Sequence, residues 1–376
     1  MTMECSKSFN QCNYNESFDS LMFLDPDGGS AIARLDTVKY SSFVKMYDKM
    51  LSLFWLPEEI ELDQDKKEFE QLSDGQQRIF TETLLRAVLL DSIQQRSINM
   101  MLLPIVSLPE LEAVIETWSM FEGIHSKSYS HIIRRIYPNP DEVFNELPRI
   151  QGIIDCANDI SKYYDDLYKQ NVLRDAYSMG IDVDYNEYEH KKSLWLALNA
   201  VNGLEALRFY VSFATFFNFA ENDSMLGNAN ILQLIARDEN VHVGIVTQIL
   251  QYLPSEDEDY KKIKVECVDE VAKIFNDIIE QELDWIKFVF RDETMLGLNI
   301  EILSDYVKYL GKQRVRIFGI PDEKIDFVAP RSNPLPWMDN WLRTDKLQVA
   351  PQESENINYT TGGIDMTDID SLDIQL

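Results

Sequence analysis

Basic residues are scarce in this chain. Its 376 residues include 35 Lys and Arg against 64 Asp and Glu, which gives a formal net charge of −29. Binding to nucleic-acid phosphates or to an anionic membrane needs a basic face, so both functions are excluded. Glycine and proline are few as well, at 14 and 13, which argues against collagen-like, propeller-like and turn-dense β folds. With 45% hydrophobic residues, the chain is not generally disordered.

Cysteine is rare, and long apolar runs are missing. The four cysteines form no CxxC pair, so neither a zinc knuckle nor a disulfide framework is predicted, and we expect reduced thiols. The N-terminus lacks the apolar segment of a secretory signal. The most apolar short stretch, residues 100–106, contains Pro104 and is too short to span a bilayer. We therefore expect a cytoplasmic protein with no membrane route.

Apolar residues recur mainly with the period of an α-helix, whereas strict two-residue alternation over strand-length windows is scarce. We therefore predict an all-α fold. A polar N-terminal arm (1–35) precedes one large helical body (36–346), in which the Pro-rich segment 319–337 lies as an extended strap. The predicted helices cover residues 36–55, 74–101, 109–137, 148–170, 189–220, 228–252, 256–293 and 299–317.

The last 30 residues, 347–376, contain six acidic residues and no basic ones. They end in Leu372, Ile374 and Leu376, so the acidic tail carries a few apolar anchors. This composition is typical of solvated disorder, and a segment that docks on a partner is the alternative. Composition by itself favours disorder.

Only four histidines occur, and three of them have Glu three positions earlier. Two of these Glu-x-x-His matches, at 122–125 and 239–242, lie in apolar helical surroundings. There, residues i and i+3 share one helix face and can reach one metal ion. The third match, at 187–190, lies in the polar run DYNEYEHKK, so we interpret it as a solvated helix start. His131 is interpreted as a bystander.

Each of the two apolar matches has a partner carboxylate on the preceding apolar helix. Asp91 precedes Glu122 by 31 residues, and Glu205 precedes Glu239 by 34. Helical bundles use this duplicated arrangement, a carboxylate followed by Glu-x-x-His, to hold two metal ions in a four-helix core. The predicted metal ligands are Asp91, Glu122, His125, Glu205, Glu239 and His242.

The chemistry of these residue types supports a metal site. Four carboxylates on apolar helix faces would each carry a large desolvation penalty, and two divalent cations would cancel their charge. Oxygen and imidazole ligands without a thiolate suit iron or manganese better than structural zinc. The alternative is that each Glu-x-x-His is a surface ion pair, and the duplication with partner carboxylates argues against it.

Tyr129 lies one helical turn beyond His125, so its ring projects beside the predicted site. Core packing is the ordinary explanation for a tyrosine at this spacing. Beside an oxidising dinuclear centre, however, a phenol can also lose an electron and hold the resulting hole. Phe209, Phe213 and Ile235 occupy helix positions from which they could shield it from solvent and reductants.

Five segments carry these residues: LLDSIQQRS (89–97), ETWSMFEGIHSKSY (116–129), VNGLEALRFYVSF (201–213), LIARDENVH (234–242) and RSNPLPWMDNWL (331–342). Together they resemble the small, radical-generating subunit of class I ribonucleotide reductase, in its class Ia form. The resemblance extends from about Ala33 to the C-terminus. It implies a ferritin-like bundle, a di-iron centre activated by dioxygen (with manganese possible), a homodimer, and a large catalytic subunit as partner.

Carried over by position, the resemblance implies the same six metal ligands and makes Tyr129 a stable tyrosyl radical. Trp55 would connect the site with the protein surface. Asp238 would be its hydrogen-bond partner and would link it to the site through His125. Trp118 matches a tryptophan close to the second metal ion.

The acidic tail also has a role in the family that the chain resembles. Tyr359 would pass the radical to the large subunit, and the final residues would dock there, which favours docking over plain disorder. The chain has no Gly-rich phosphate loop, so ribonucleotides are expected to bind to the partner. The implied function is to supply the radical with which ribonucleotides are reduced to deoxyribonucleotides.

Three positions depart from the family pattern. Leu56 stands where relatives often have Arg, Gln95 where Gly is common, and Gly123 where Thr is common. None of them is a predicted ligand, but Gln95 and Gly123 flank the site and could alter its metal preference or the stability of the radical.

Other functions remain open from the residues. One is a different dinuclear carboxylate oxidase or oxygenase that applies its metals directly to a substrate. A second is ferritin-like metal storage, which the long C-terminal extension does not favour. A third is a metal-free acidic helical protein that acts only by binding partners.

Overall fold

The computed structural model describes residue 10, residues 20–30 and residues 32–343. In these residues β-structure is limited to two isolated bridges, Phe23–Val106 and Met295–Leu298, so the all-α prediction is confirmed. The helices are α1 (Ser41–Ser52), α2 (Asp63–Phe69), α3 (Asp74–Leu102), α4 (Pro109–Ile136), α5 (Pro140–Glu146), α6 (Gln151–Ser178), α7 (Glu187–Gly203), α8 (Phe209–Glu221), α9 (Leu226–Glu256), α10 (Glu258–Glu266), α11 (Val268–Val289), α12 (Ile300–Ile317) and α13 (Met338–Leu342).

Helix α3 begins where the sequence predicts. The Ser73 hydroxyl accepts a hydrogen bond from the Gln76 backbone N–H at 3.1 Å, and the Gln76 side chain accepts one from the Ser73 N–H at 3.1 Å. This reciprocal capping satisfies two donors that would otherwise have no partner in the first turn. It fixes the start of the helix that carries Asp91.

Several predicted helix boundaries are wrong. The helix predicted over 256–293 is two helices, α10 and α11, which meet at Cys267. Helix α6 continues through Ser178, eight residues beyond its predicted end at 170. Helix α1 begins at Ser41 and not at Asp36, and the short helices α2 and α5 were not predicted. Short polar helices give too few periodic apolar positions for the pattern to be recognised.

The helix predicted over 189–220 is interrupted. Between α7 and α8 the chain forms a π-helical turn over Leu204–Arg208, which places an extra residue in one turn. Such turns occur frequently at functional sites. This one carries Glu205, a predicted ligand, and Arg208, and both are fully buried.

The C-terminal part of the described chain lies over the body, as the strap prediction has it. Asn276 on α11 donates a hydrogen bond to the Lys324 carbonyl at 2.9 Å. The ring of Trp341 stacks on Phe217 of α8, with 4.7 Å between centroids. None of the helices in the described part of the chain combines the length and apolar character that crossing a bilayer requires.

Candidate metal centre

The six predicted ligands come from four helical segments: α3, α4, the π-helical turn and α9. Each of the six side chains is at most 1% exposed. They form two groups that share Glu122 and Glu239, and within each group the ligand atoms lie within 4.8 Å of one another. The first group adds Asp91 and His125, and the second adds Glu205 and His242. We call these six residues the metal cluster, because they are arranged to hold metal ions.

The register of α9 brings two of these residues into place. Asp65 of α2 accepts hydrogen bonds from the backbone N–H groups of Gly227 (3.1 Å) and Asn228 (2.6 Å) at the start of α9. A carboxylate at a helix N-terminus accepts hydrogen bonds from the free N–H groups and interacts favourably with the positive end of the helix dipole. Glu239 and His242 then share one helix face because they are three residues apart.

Both imidazoles turn Nδ1 toward the carboxylates. His125 Nδ1 lies 3.1 Å from Glu239 Oε1, 3.5 Å from Glu122 Oε2 and 3.9 Å from an oxygen of Asp91. His242 Nδ1 lies 2.9 Å from Glu239 Oε2 and 3.2 Å from Glu122 Oε1. The same nitrogen of each ring therefore faces the interior of the cluster.

Many atoms of the cluster have no hydrogen-bond partner among the described residues. A buried polar atom left in this state costs about 1–3 kcal/mol. Bound divalent cations would satisfy the atoms together, and hard oxygen donors with imidazole suit iron or manganese. The residues therefore fit a dinuclear centre. The atoms that face other ligands are Asp91 Oδ1 and Oδ2, Glu122 Oε2, His125 Nδ1, Glu205 Oε2 and Glu239 Oε1, and His242 Nε2 also has no partner.

The electrostatics of the metal-free cluster are those of an excess of buried negative charge. Burial and the neighbouring carboxylates raise the pKa of Asp91 and of Glu205 well above the usual range. Burial opposes ionisation of Glu239, but the two imidazoles outweigh it and lower its pKa. Burial likewise opposes charging of His242, but Glu239 outweighs it and raises the pKa of His242 to about 9. Protons thus occupy the cluster without metal, and metal binding must release them.

Neutral side chains hold two of the ligand carboxylates from outside. Trp118 donates its indole N–H to Glu122 Oε1 at 2.8 Å. Gln94 donates its amide N–H to Glu205 Oε1. These contacts leave the second oxygen of each carboxylate free to face the centre of the cluster.

A hydrogen-bonded path leads away from His125. Its Nε2 lies 3.3 Å from Asp238 Oδ2, and the same oxygen accepts the Trp55 indole N–H at 2.7 Å. Arg237 holds the other oxygen of Asp238 through two bonds of 3.1 Å. Trp55 is fully buried, whereas its neighbour Phe54 is 40% exposed. The path therefore ends one residue from the surface.

Tyr129 is fully buried on α4, and its hydroxyl has no hydrogen-bond partner among the described residues. Burial and the nearby charge of Asp91 raise the pKa of the Tyr129 phenol well above its usual value. The three predicted shielding residues, Phe209, Phe213 and Ile235, are also buried, on α8 and α9. Their proposed shielding of Tyr129 stays a prediction.

Comparison with known proteins decides the family. The sequence model of "Ribonucleotide reductase, small chain" matches residues 33–323. The chain belongs to this family. It is 46% identical over 344 residues to the ribonucleoside-diphosphate reductase subunit beta of Buchnera aphidicola subsp. Schizaphis graminum, covering 89% of this chain and 90% of the relative. It is 40% identical over 375 residues to the ribonucleoside-diphosphate reductase 1 subunit beta of Escherichia coli O157:H7, covering 98% of both chains.

The fold agrees with this assignment. The R2 subunit of ribonucleotide reductase from Clostridium botulinum superposes with a TM-score of 0.72 at 23% identity, covering 89% of this chain and 97% of the other. The predicted ferritin-like fold and the predicted function are therefore confirmed. The chain is a small subunit of ribonucleoside-diphosphate reductase, which acts together with a large subunit. This assignment replaces the alternatives of metal storage, a separate oxidase and a metal-free binding protein.

Two of the positions that the sequence analysis marks as departures from the family pattern, Gln95 and Gly123, lie side by side. A Cβ atom added to Gly123 would lie only 3.1 Å from the Gln95 amide nitrogen. The Gln95 side chain thus occupies the space next to the missing side chain at position 123. The influence of Gln95 and Gly123 on the neighbouring ligands stays a prediction.

The third Glu-x-x-His match lies at a helix start, as predicted, because α7 begins at Glu187, but the prediction that His190 is solvated is wrong. His190 is fully buried, and its ring lies 2.8 Å from Asn171 Oδ1 and 3.2 Å from the Tyr185 hydroxyl. Asn171 belongs to the part of helix α6 that lies beyond its predicted end. This part of α6 packs against His190, and the polar residues around His190 in the sequence do not indicate that contact. The residue is nonetheless outside the metal cluster.

Sequence reasoning also missed residues that support the site. Gln94 follows Asp91 by three positions, so its place on the ligand face was available from helix spacing. Arg237 precedes Asp238 directly, but its contact depends on the fold. Tyr359 and the predicted docking tail lie outside the described residues.

Proposed function

We propose that this small subunit binds two iron or manganese ions at the metal cluster and forms a radical on Tyr129. The observation that carries the proposal is the set of buried ligand atoms without hydrogen-bond partners, in two adjoining groups that share Glu122 and Glu239. When bound, the metal pair supplies a one-electron oxidant after reaction with dioxygen. The protein's part is to hold the ligands, exclude water and direct the oxidation to one side chain.

Tyr129 suits this part because of its surroundings. It is closed off from solvent, and, after burial, the charge of Asp91 raises the pKa of its phenol. Oxidation of the phenol to a neutral radical would release one electron, which a bound metal pair would accept, and one proton, which a nearby oxygen base would take up. A carboxylate within reach is such a base, so Asp91 supports proton loss.

The stored hole has a route outward. We propose that it moves from Tyr129 past His125 and Asp238 to Trp55, and then through Tyr359 to the large subunit. The short hydrogen bond between Trp55 and Asp238 (2.7 Å) supports the inner part of this route. The acidic, apolar-ended segment 347–376 would dock in a groove of the large subunit, and two such small subunits would form the homodimer.

Electron paramagnetic resonance tests the radical assignment. After reconstitution with ferrous iron and dioxygen, we expect a tyrosyl signal in the wild type and its loss in Tyr129→Phe. Tyr260→Phe is the matched control, because Tyr260 is also buried with an unpartnered hydroxyl but lies outside the cluster. Both variants should still bind two ions per chain. A signal that persists unchanged in Tyr129→Phe contradicts the assignment.

The route is tested separately. Trp55→Phe should keep the Tyr129 signal and the metal content, yet lose nucleotide reduction in the presence of the large subunit. Removal of residues 347–376 should abolish binding to the large subunit, again without changing the signal. If the shortened protein still binds the large subunit and supports reduction, docking through the tail is wrong.

A further inference from the structure

A groove of about 860 Å³ lies between helix α12 and the strap. The ring of Phe327 on the strap packs so close to α12 that a Cβ atom added to Gly311 would lie 3.1 Å from it. Val328 on the strap is 88% exposed, so its side chain has no apolar cover within the described part of the chain. We call this feature the strap groove, and its lining includes Tyr309, Lys312, Arg316, Phe327, Val328 and Arg331.

The strap groove has a charge opposite to that of the whole chain. Lys312, Arg316 and Arg331 line it against one acidic residue, Asp322, among the described residues. The chain as a whole carries a formal charge of −29. Asp322 pairs with Lys312 at 2.5 Å, and both arginines are exposed to solvent. A surface of this kind attracts a segment that combines acidic with apolar side chains.

The C-terminal tail of this chain has that composition. Residues 347–376 contain six acidic residues and no basic ones. In the stretch DMTDIDSLDI (365–374) four aspartates alternate closely with apolar side chains, which are Met366, Ile369, Leu372 and Ile374. The tail therefore complements the strap groove in charge and in apolar character.

The tail is also long enough to reach the strap groove. Asp365 follows Arg343, the last described residue, by 22 positions, and an extended chain of that length spans up to about 75 Å. A folded protein of this size has a radius of gyration of about 21 Å. Because the tail is tethered, its effective concentration at the groove is on the order of millimolar, so a weak contact is sufficient to hold it.

We propose that the tail segment 365–374 docks in the strap groove, with its carboxylates on Arg316 and Arg331 and its apolar side chains against Phe327 and Val328. A docked tail is withheld from the large subunit, so the apparent Kd for the large subunit rises as the fraction of free tail falls. This competition rests on the proposed docking of the tail on the large subunit. The contact with the groove needs neither that partner nor the metal ions.

Hydrogen exchange of the full-length chain, followed by mass spectrometry, tests the contact. At low salt, the amides of residues 365–374 should exchange at least fivefold more slowly than those of a free peptide of the same sequence. Arg316→Glu/Arg331→Glu should remove this protection. So should 1 M NaCl in the wild type, because the Debye length is then only about 3 Å.

Arg134→Glu/Arg135→Glu is the matched control. It makes the same change of charge at two exposed arginines in the last turn of α4, so the protection should persist. Circular dichroism checks that each variant keeps its helices. Should the groove variant fold poorly, the same test is made from the side of the tail, by replacing its four aspartates with asparagine: Asp365, Asp368, Asp370 and Asp373. This variant should lose the protection relative to a free peptide of its own sequence.

Binding to the large subunit tests the competition. Arg316→Glu/Arg331→Glu should bind the large subunit about fivefold more tightly than the wild type, in proportion to the protection that is lost. If its affinity is unchanged although the protection is lost, the competition is overturned.

Other outcomes overturn the contact itself. Exchange of the wild-type tail at the rate of the free peptide does so. Unchanged protection in the groove variant, together with weaker binding to the large subunit, also does so, because the strap groove would then be a contact site for the large subunit. If the protein without residues 347–376 still binds the large subunit, the proposed docking on that subunit fails, whereas protection of the tail in the full-length chain is unaffected.

Discussion

The metal cluster and a second group of charged residues in this helical body differ in how their charge is neutralised. The metal cluster has four carboxylates and no arginine or lysine. The second group, which we call the guanidinium cluster, consists of Arg86, Arg208, Glu282, Asp159 and Cys156. Arg86 Nη1 donates to Glu282 Oε2 at 2.8 Å, and Arg208 Nη2 donates to Asp159 Oδ2 at 3.0 Å.

The two clusters differ in the balance of their charges. In the guanidinium cluster two positive charges meet two negative ones, and both oxygens of Glu282 are bound by arginine nitrogens. In the metal cluster seven side-chain atoms have no hydrogen-bond partner among the described residues. Glu205 and Arg208 share a single π-helical turn, so the two environments are neighbours. Beside a cluster in which arginines neutralise the carboxylates, four carboxylates that face only two imidazoles carry an excess of negative charge, which divalent cations would neutralise.

The largest expected effect comes from removing one carboxylate from each cluster in metal-free protein at pH 7. Glu282→Gln leaves two buried guanidinium groups short of charge, so it should lower the free energy of unfolding by about 3–5 kcal/mol. Glu205→Gln should leave it unchanged or raise it. The pKa of Glu205 is raised in the folded state. Ionised Glu205 therefore destabilises the folded protein at any pH above the pKa of Glu205 in the unfolded chain, and the uncharged glutamine removes that destabilisation.

Urea unfolding of the two variants beside the wild type measures this difference. The substitutions are chemically identical, and both side chains are fully buried, so each serves as the control for the other. Equal destabilisation by the two would contradict the distinction between a neutralised and an unneutralised cluster.

The next effect is stabilisation by metal. A ligand that binds only the folded state adds about 2.7 kcal/mol at a free concentration of 100 times its Kd. Mn²⁺ at that level should therefore raise the melting temperature of the wild type by several degrees. Glu239→Ala should lose most of the shift, because Glu239 belongs to both ligand groups.

Asp159→Asn is the control for the metal experiment. It removes a carboxylate from the guanidinium cluster, so it should lower stability yet keep the full Mn²⁺-dependent shift and two bound ions. Loss of the shift in this variant would show that the two clusters are not independent.

The sequence was enough to predict the metal cluster because its pattern is local and duplicated. Glu-x-x-His places two ligands on one face, and long apolar helices such as α3, α4 and α9 repeat that face reliably. The π-helical turn was not predictable from periodicity, because one extra residue per turn disturbs the apolar pattern too little. The guanidinium cluster was also missed, since Arg86 and Glu282 are 196 residues apart and only the packed fold brings them together.

The same limit applies to the buried histidines. Glu239 and His242 lie in an apolar stretch, so local sequence is sufficient to suggest a ligand. His190 lies in a polar stretch, and its burial depends on contact with Asn171 of α6, which no local pattern contains. His190 and His242 share the Glu-x-x-His motif, so tertiary contacts, and not the motif, determine the direction in which the pKa of each histidine is shifted.

The smallest predicted effect sharpens that contrast. Glu239 raises the pKa of His242 to about 9, whereas burial lowers the pKa of His190 to about 4. Since unfolded histidine titrates near 6.5, the unfolded chain takes up the proton first, and His190 should cost about 2–3 kcal/mol of stability as the pH falls from about 6.5 to about 4. Glutamine does not titrate. In metal-free protein, the wild type should therefore lose stability relative to His190→Gln over this pH range, as measured by urea unfolding. A difference that stays constant from pH 7 to pH 4.5 would show that His190 is not held neutral.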